Sequence, residues 1–525
     1  MPTYSLLIRN GLVFDGTGSR PERTDIGIEG DVVSALGDLS KDGALTTIDA
    51  NNLYVTPGFI DLTNHSDTHW TLFDLPRQDS LITQGVTTIV GGNCGSSLAP
   101  LVNARDIEGI QKWIDISRIN INWQKMEEFF AELEKHTLTL NVATLVGHGT
   151  LRRAVGMDIT KPASRENINQ MIFLLRSSLE AGAIGLSFSL GRSHALSVVE
   201  EELRELFNLV KEFDVISTHH LQDEGREIVS SLSRIVSLAR TTGARNHISH
   251  FKVLGKKSWP LQKKVLEMIE NARNQGVGLT VDVFPYDRTG SNLYLLLPNW
   301  AREGGKRAIL ERLNDSEKRM QITEAFKTLT LHYDKIIVAS TLHDTGAVGR
   351  SILQLSENSG LTPEDTMIEL LLTNDLQVSI FNETISYDNV IEVLGKMYSA
   401  ISSDGVGQGI QESATDLPHP RSFGTYPRIF NWMVKEREVL SWENAIHKMT
   451  GLPAEILGLE KRGVIKKGAF ADVVIFDPER IRDTADYQTP RRFSEGIEWV
   501  FVNGTAVISA GEFTNQSPGR VVKKA

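Results

Sequence analysis

The sequence predicts an α/β protein built on a (β/α)8 barrel, with a small β-sandwich domain made from both termini and a small inserted domain. Three observations predict it. Eight short β-branched runs alternate with helical periodicity through the middle of the chain, both ends read as short strands with Gly turns, and one interval between strands is too long for a single crossover helix.

The elements follow in chain order. Residues 4–14 are β-prone and broken at Asn10-Gly11, and residues 25–36 carry a turn at Gly30-Asp31. Residues 471–477 and 497–508 repeat this style, with a hairpin turn at Asn503-Gly504. Each end offers only about 55 residues of such material, too few for a comfortable core of its own. Residues 1–55 and 465–525 are therefore expected to pair into one β domain around a barrel at 56–464. Barrel strands are expected at 57–63, 86–91, 141–147, 183–189, 214–219, 245–249, 279–284 and 398–403. Between the third and fourth, Ser164 is a candidate N-cap, and Ile168, Met171, Ile172, Leu175 and Leu179 recur at helical spacing until Gly182. Thr362-Pro363-Glu364-Asp365 opens another helix in capping-box style. The gap between 284 and 398 must hold the inserted domain, placed at about 288–340.

Composition narrows the function. The 525 residues carry 55 Lys and Arg against 66 Asp and Glu, a formal net charge of −11, so nucleic acid and anionic membrane are not expected partners. Cys94 is the single cysteine, which excludes an intramolecular disulfide. The first residues show no basic segment followed by a long apolar stretch, and a cytoplasmic protein, possible as an oligomer, is expected.

Catalytic groups of a barrel sit where its strands end. The first strand runs into Thr63-Asn64-His65, the second into Gly92-Asn93-Cys94, the fifth into His219-His220, the sixth into Ser249-His250 and the eighth into Ser403-Asp404. One cysteine, two histidines and an aspartate thus point at one mouth, with His65 nearby. Sulfur and nitrogen ligands suit zinc, and a catalytic site keeps one position open. His219 and His247 fall on the opposite strand phase and are expected to stay out of the site. His69, His136, His194, His332, His343 and His447 read as packing or surface residues.

At these residues the sequence resembles the N-acyl-D-amino-acid deacylases (D-aminoacylases) of the amidohydrolase superfamily. The resemblance covers nearly the whole chain. It rests on PGFIDLTNHSD (57–67), QGVTTIVGGNCGSSLAP (84–100), LVGHGTLRRAVGM (145–157), HLQDEG (220–225), ISHFK (248–252), DVFPY (282–286), SSDG (402–405), HPRSFGTYPR (419–428) and GVIKKGAFADVVIFD (463–477). It implies a zinc held tightly by Cys94, His220 and His250, Asp404 as general base and acid, and His65 beside a second, weaker metal position. It also implies that the substrate is a small N-acyl-D-amino acid, with Lys252 and Tyr286 holding its carboxylate and Ser291 in the adjoining loop. Arg421 would face the substrate's side chain or carboxylate. The bland reading of Lys252 and Arg421 is a solvated rim charge. His148 is either a contact to ligand or substrate, or an ordinary loop residue.

The chain departs from the family pattern in places. Thr63 stands where the family has the first histidine of His-x-His, and a hydroxyl is a poor zinc ligand, so about one tight zinc site is expected. Gln222 replaces a common Arg, and Arg192 a common Tyr. A cyclic-amide hydrolase of the dihydroorotase or hydantoinase type is the competing enzyme, but AIGLSFSL offers no lysine for carboxylation. A degenerate, non-catalytic binding protein is the third reading, favoured only by Thr63.

Overall fold

The computed structural model describes residues 4–102, 119–156, 161–191, 197–329, 331–410 and 415–524, so Arg192 and His194 lie outside the described residues. Eight parallel strands ring the centre: Phe59–Asp61, Val86–Gly91, Asn141–Thr144 continued as Val146–Gly147, Gly185–Ser189, Ile216–His220, Arg245–Ile248, Leu279–Val283 and Ser399–Ile401. The third strand breaks at Leu145, pairing with the second strand before the break and with the fourth after it. A bridge between Asn64 and Gly405 joins the ends of the first and eighth strands and closes the ring. All six residues of the second strand are buried, as expected where helices cover one face and the barrel interior the other.

Ile60, Leu62, Val90, Ala143, Leu145, Ile184, Ile216 and Ala400 fill the inside of the ring. Leu452, Ala454, Ile456 and Leu457 of the helix Gly451–Leu457 join this cluster, together with Val522 from the C-terminal segment. The helix Arg165–Glu180 shows how locally this fold is written. Ser164 accepts from the Asn167 backbone amide in a capping box, and Ile168, Met171, Leu175 and Leu179 are the buried stripe. The helix Pro363–Thr373 is capped by Thr362, whose hydroxyl oxygen accepts from the Asp365 backbone amide.

Both termini contribute to one nine-stranded sheet, in which Tyr54–Pro57 pairs with Tyr4–Val13 on one side and with Val473–Phe476 on the other. Asn10-Gly11 is not a turn. The strand Tyr4–Val13 passes through it with a register shift between Ile8 and Gly11, Asn10 taking the left-handed φ of 62° that such a bulge requires. Turns at Gly30-Asp31 and Asn503-Gly504 do separate strands.

The inserted unit reaches well beyond the expected boundary at 340. Its three-stranded antiparallel sheet joins Arg288–Asn292, Val378–Glu383 and Ile336–Thr341, and its apolar cluster runs from Leu293 to Ile380. The sequence breaks near 340 only because a strand ends there; the strand that pairs with both others comes last. Among the described residues no helix is long and apolar enough to cross a membrane.

Candidate active site

Three of the residues expected to carry chemistry sit in strained backbone. Cys94, His250 and Asp404 have φ of 52°, 41° and 48°, a region that non-glycine residues rarely adopt and that clusters at functional sites. Each follows a barrel strand within three residues, and its side chain lines the cavity at the mouth. The approach to Cys94 is tight: a Cβ on Gly92 would lie 2.0 Å from the Leu145 carbonyl oxygen, so the turn admits only glycine there.

The donor atoms converge. Cys94 Sγ lies 3.2 Å from His250 Nε2 and 3.7 Å from His220 Nδ1, and the two ring nitrogens are 3.0 Å apart. Among the described residues this is the one group of three metal-ligand side chains within mutual reach. A sulfur and two imidazole nitrogens, gathered with no carboxylate among them, fit zinc. Burial pushes the Cys94 thiol up. The charge of His250 and the hydrogen bonds from His220, His250 and His65 outweigh it, leaving the thiol well below its ordinary value.

Asp404 lies beside this cluster. Its Oδ1 is 3.0 Å from His65 Nε2 and its Oδ2 is 2.7 Å from Arg421 Nη1. Burial disfavours its charge, but Arg421, His250 and His65 hold it well below the usual carboxylate range. Asp404 is therefore ionised and able to take a proton. The Arg421 side chain is only 11% exposed and stacks 4.9 Å over the Phe284 ring, which rules out a solvated rim charge.

Thr63 is fully buried and donates to Asp282 Oδ2 at 2.7 Å. Asp282 also meets His247 Nε2 at 2.7 Å, the His250 backbone amide at 2.7 Å and Ser402 Oγ at 2.5 Å. The Thr63 hydroxyl thus serves a buried hub that ties the first, sixth, seventh and eighth strand ends together. His247, outside the site as its phase requires, is part of that hub. His219 is likewise turned away, with Nε2 2.8 Å from Asn246 Oδ1 and its ring stacked on Phe188.

Two sequence expectations, Tyr286 and His148, need correction, and Lys252 has a partner besides the cavity. Lys252 is buried in the wall of the cavity that holds the site, donating to Glu224 Oε1 at 2.7 Å and to the His250 carbonyl at 3.0 Å, with His250 Nδ1 3.0 Å from its Nζ. Glu224 is in turn 3.3 Å from His250 Nδ1, so the Glu224–Lys252 pair braces the His250 ring. Tyr286 is buried outside the cavity wall, its hydroxyl donating to the Pro420 carbonyl at 3.3 Å and its ring under the Arg428 guanidinium. His148 is fully buried against Glu202, 2.7 Å away, which Arg152 also grips. Neither residue can touch a substrate at the mouth.

Ser291, by contrast, lies on the wall of the cavity that holds the site. This cleft of about 1470 Å³ opens between the barrel mouth and the inserted unit, and His65, Cys94, His220, His250, Asp404 and Arg421 line it. Sequence reasoning missed Glu224, Asp282 and the cavity residues His69 and His419. Glu224 was in view in HLQDEG, four residues after His220, but nothing there showed that it would meet Lys252.

A closed parallel barrel with sulfur and nitrogen ligands beside an ionised carboxylate defines a class, the metal-assisted hydrolases. The family description "Amidohydrolase family" matches residues 46–289 and 409–508, and the chain belongs to that family. It is 31% identical to the D-aminoacylase of Alcaligenes xylosoxydans xylosoxydans, over 99% of this chain and 98% of that protein. The N-acyl-D-glutamate deacylase of Bordetella bronchiseptica, solved with zinc and a phosphonate mimic of the tetrahedral intermediate, superposes with a TM-score of 0.85 at 27% identity, over 99% of both chains. A D-aminoacylase with a binuclear centre, described by one-metal activation and second-metal attenuation, superposes at 0.83 with 29% identity, over 99% of this chain and 100% of that one.

Proposed function

We propose that this protein is a zinc-dependent hydrolase that removes the acyl group from N-acyl-D-amino acids. The observation that carries the reading is the Cys94, His220 and His250 cluster beside ionised Asp404, in a chain similar along its full length to D-aminoacylase. Cys94, His220 and His250 would hold the zinc, which supplies Lewis acidity, lowering the pKa of water towards ~7 and polarising the amide carbonyl. Asp404 takes the proton of the attacking water and gives it to the departing amine nitrogen. Arg421 keeps Asp404 charged and aimed, and the Glu224–Lys252 pair fixes the His250 ring. Ser291, Lys252 and Arg421, on the cavity wall, are polar groups in reach of the substrate's carboxylate or side chain.

We assign one tight metal site. Thr63 offers no ligand, since its hydroxyl faces Asp282, and His65 Nε2 faces Asp404. His65 therefore acts as a partner of the base. The test is a turnover panel with the zinc-loaded protein: D and L enantiomers of several N-acetyl amino acids, together with dihydroorotate and hydantoins. Release of free D-amino acids alone supports the reading. Ring opening of the cyclic amides, or no turnover of any compound, would contradict it.

A further inference from the structure

His419 has no part in the chemistry above, yet it is buried in the wall of the active-site cavity and both of its ring nitrogens are engaged. Its Nδ1 accepts from the Arg421 backbone amide at 3.1 Å, so Nε2 carries the proton and donates to the Arg288 carbonyl at 3.0 Å. Arg288 opens the first strand of the inserted sheet, and Arg421 opens the helix Arg421–Arg428. The ring is boxed by Tyr286, Phe381 and Tyr487 at centroid distances of 5.3, 5.4 and 5.3 Å. A Cβ on Gly290 would come within 3.2 Å of its Cδ2. The same stretch of chain is stitched to the inserted sheet once more, by Leu417 N donating to the Ala339 carbonyl at 2.7 Å.

We infer that His419 is a positioning residue through which the inserted unit sets the place of Arg421, and thereby of the Arg421–Asp404 pair. The chain of contacts is continuous: Arg288 carbonyl, His419 ring, Arg421 amide, Arg421 guanidinium, Asp404 carboxylate. A neutral imidazole is the fitting link, because it donates to one element and accepts from the other through a rigid ring. Burial and the charges of Arg421 and Arg288 keep it neutral. The inserted unit is then part of the catalytic apparatus as well as a wall of the cleft.

The inference rests on the proposed deacylase activity for its kinetic test, and a second readout stands free of it. His419→Phe keeps an aromatic ring in the box and removes both hydrogen bonds. Hydrogen exchange at the Arg421 amide should quicken by about tenfold or more in that variant, a measurement that needs no substrate. With N-acyl-D-amino acid as substrate, kcat should fall about tenfold at unchanged zinc content. In an Arg421→Met background the same substitution should change kcat by less than about twofold, because the group it acts through is gone. Gly290→Ala, which presses on the ring from the inserted sheet, should reproduce a smaller loss with the same dependence on Arg421. Unchanged exchange at Arg421 in His419→Phe would overturn the inference, whatever the activity. So would a kcat loss of equal size with and without Arg421, in either variant. A wild-type protein without deacylase turnover would count against the proposed function alone, and the exchange measurement would still decide the bridge.

Discussion

At the scale of single residues, the site is held by pairs in which one side chain prepares another. With Asp404 as the proposed proton carrier, Asp404→Asn is expected to lower turnover ~10²–10⁴-fold while leaving zinc content unchanged, as measured by steady-state kinetics beside elemental analysis. A variant that keeps more than about a tenth of wild-type turnover would remove Asp404 from that role. Lys252 lines the cavity and also has a partner that the sequence did not show. Its place in ISHFK, two residues after a ligand, suggests a charge facing the substrate, and a linear string cannot show that Glu224 waits inside to pair with it. Lys252→Met should therefore weaken zinc binding, about 10- to 100-fold in dissociation constant by chelator competition. Unchanged zinc affinity with a raised KM would return Lys252 to the substrate. The convergence of Cys94, His220 and His250 was legible, because strand ends mark the mouth and the Cys, His and His types suit a metal. Tyr286 and His148 were not, since burial behind a neighbouring element leaves no trace in local spacing.

At the scale of elements, the helix Trp442–Met449 shows a charge that the barrel floor must accommodate. Lys448 is buried in its last turn and donates to the Ser399 carbonyl at 2.9 Å, at the start of the eighth strand. Burial pushes its pKa down to about 8. Between that value and the ordinary lysine range the folded chain binds fewer protons than the unfolded one, so this group makes stability rise with pH across the window. The melting temperature of wild type relative to Lys448→Met should accordingly increase from pH 8 to pH 10. Parallel curves would show that the ammonium stays charged throughout. Helices such as Arg165–Glu180 were readable to within a residue from cap and stripe. The bulge at Asn10-Gly11 and the late third strand of the inserted sheet were not. A turn dipeptide fits a bulge equally well, and antiparallel pairing partners are chosen in three dimensions.

At the scale of the whole molecule, the terminal β domain is bound to the barrel through a buried polar knot. Asp472 pairs with Arg462, accepts the Asn503 backbone amide at 2.8 Å and meets Asn141 of the third barrel strand at 3.3 Å. Asp472→Ala would leave Arg462 charged and unpaired, and should cost about 3–5 kcal/mol in denaturant unfolding. A loss below about 1 kcal/mol would mean that water reaches the knot. The architecture as a whole was legible because alternation of strand and helix permits few topologies. The placement of the inserted unit over the mouth was not, since that depends on contacts between segments far apart in sequence, such as Arg288 with His419. Whether one zinc on Cys94, His220 and His250 drives hydrolysis of N-acyl-D-amino acids is decided by adding zinc to metal-stripped protein while D-amino acid release is followed. Activity should climb to its maximum at about one equivalent and stay absent in Cys94→Ala; no release at any ratio, or a maximum reached only at about two equivalents, would contradict the account.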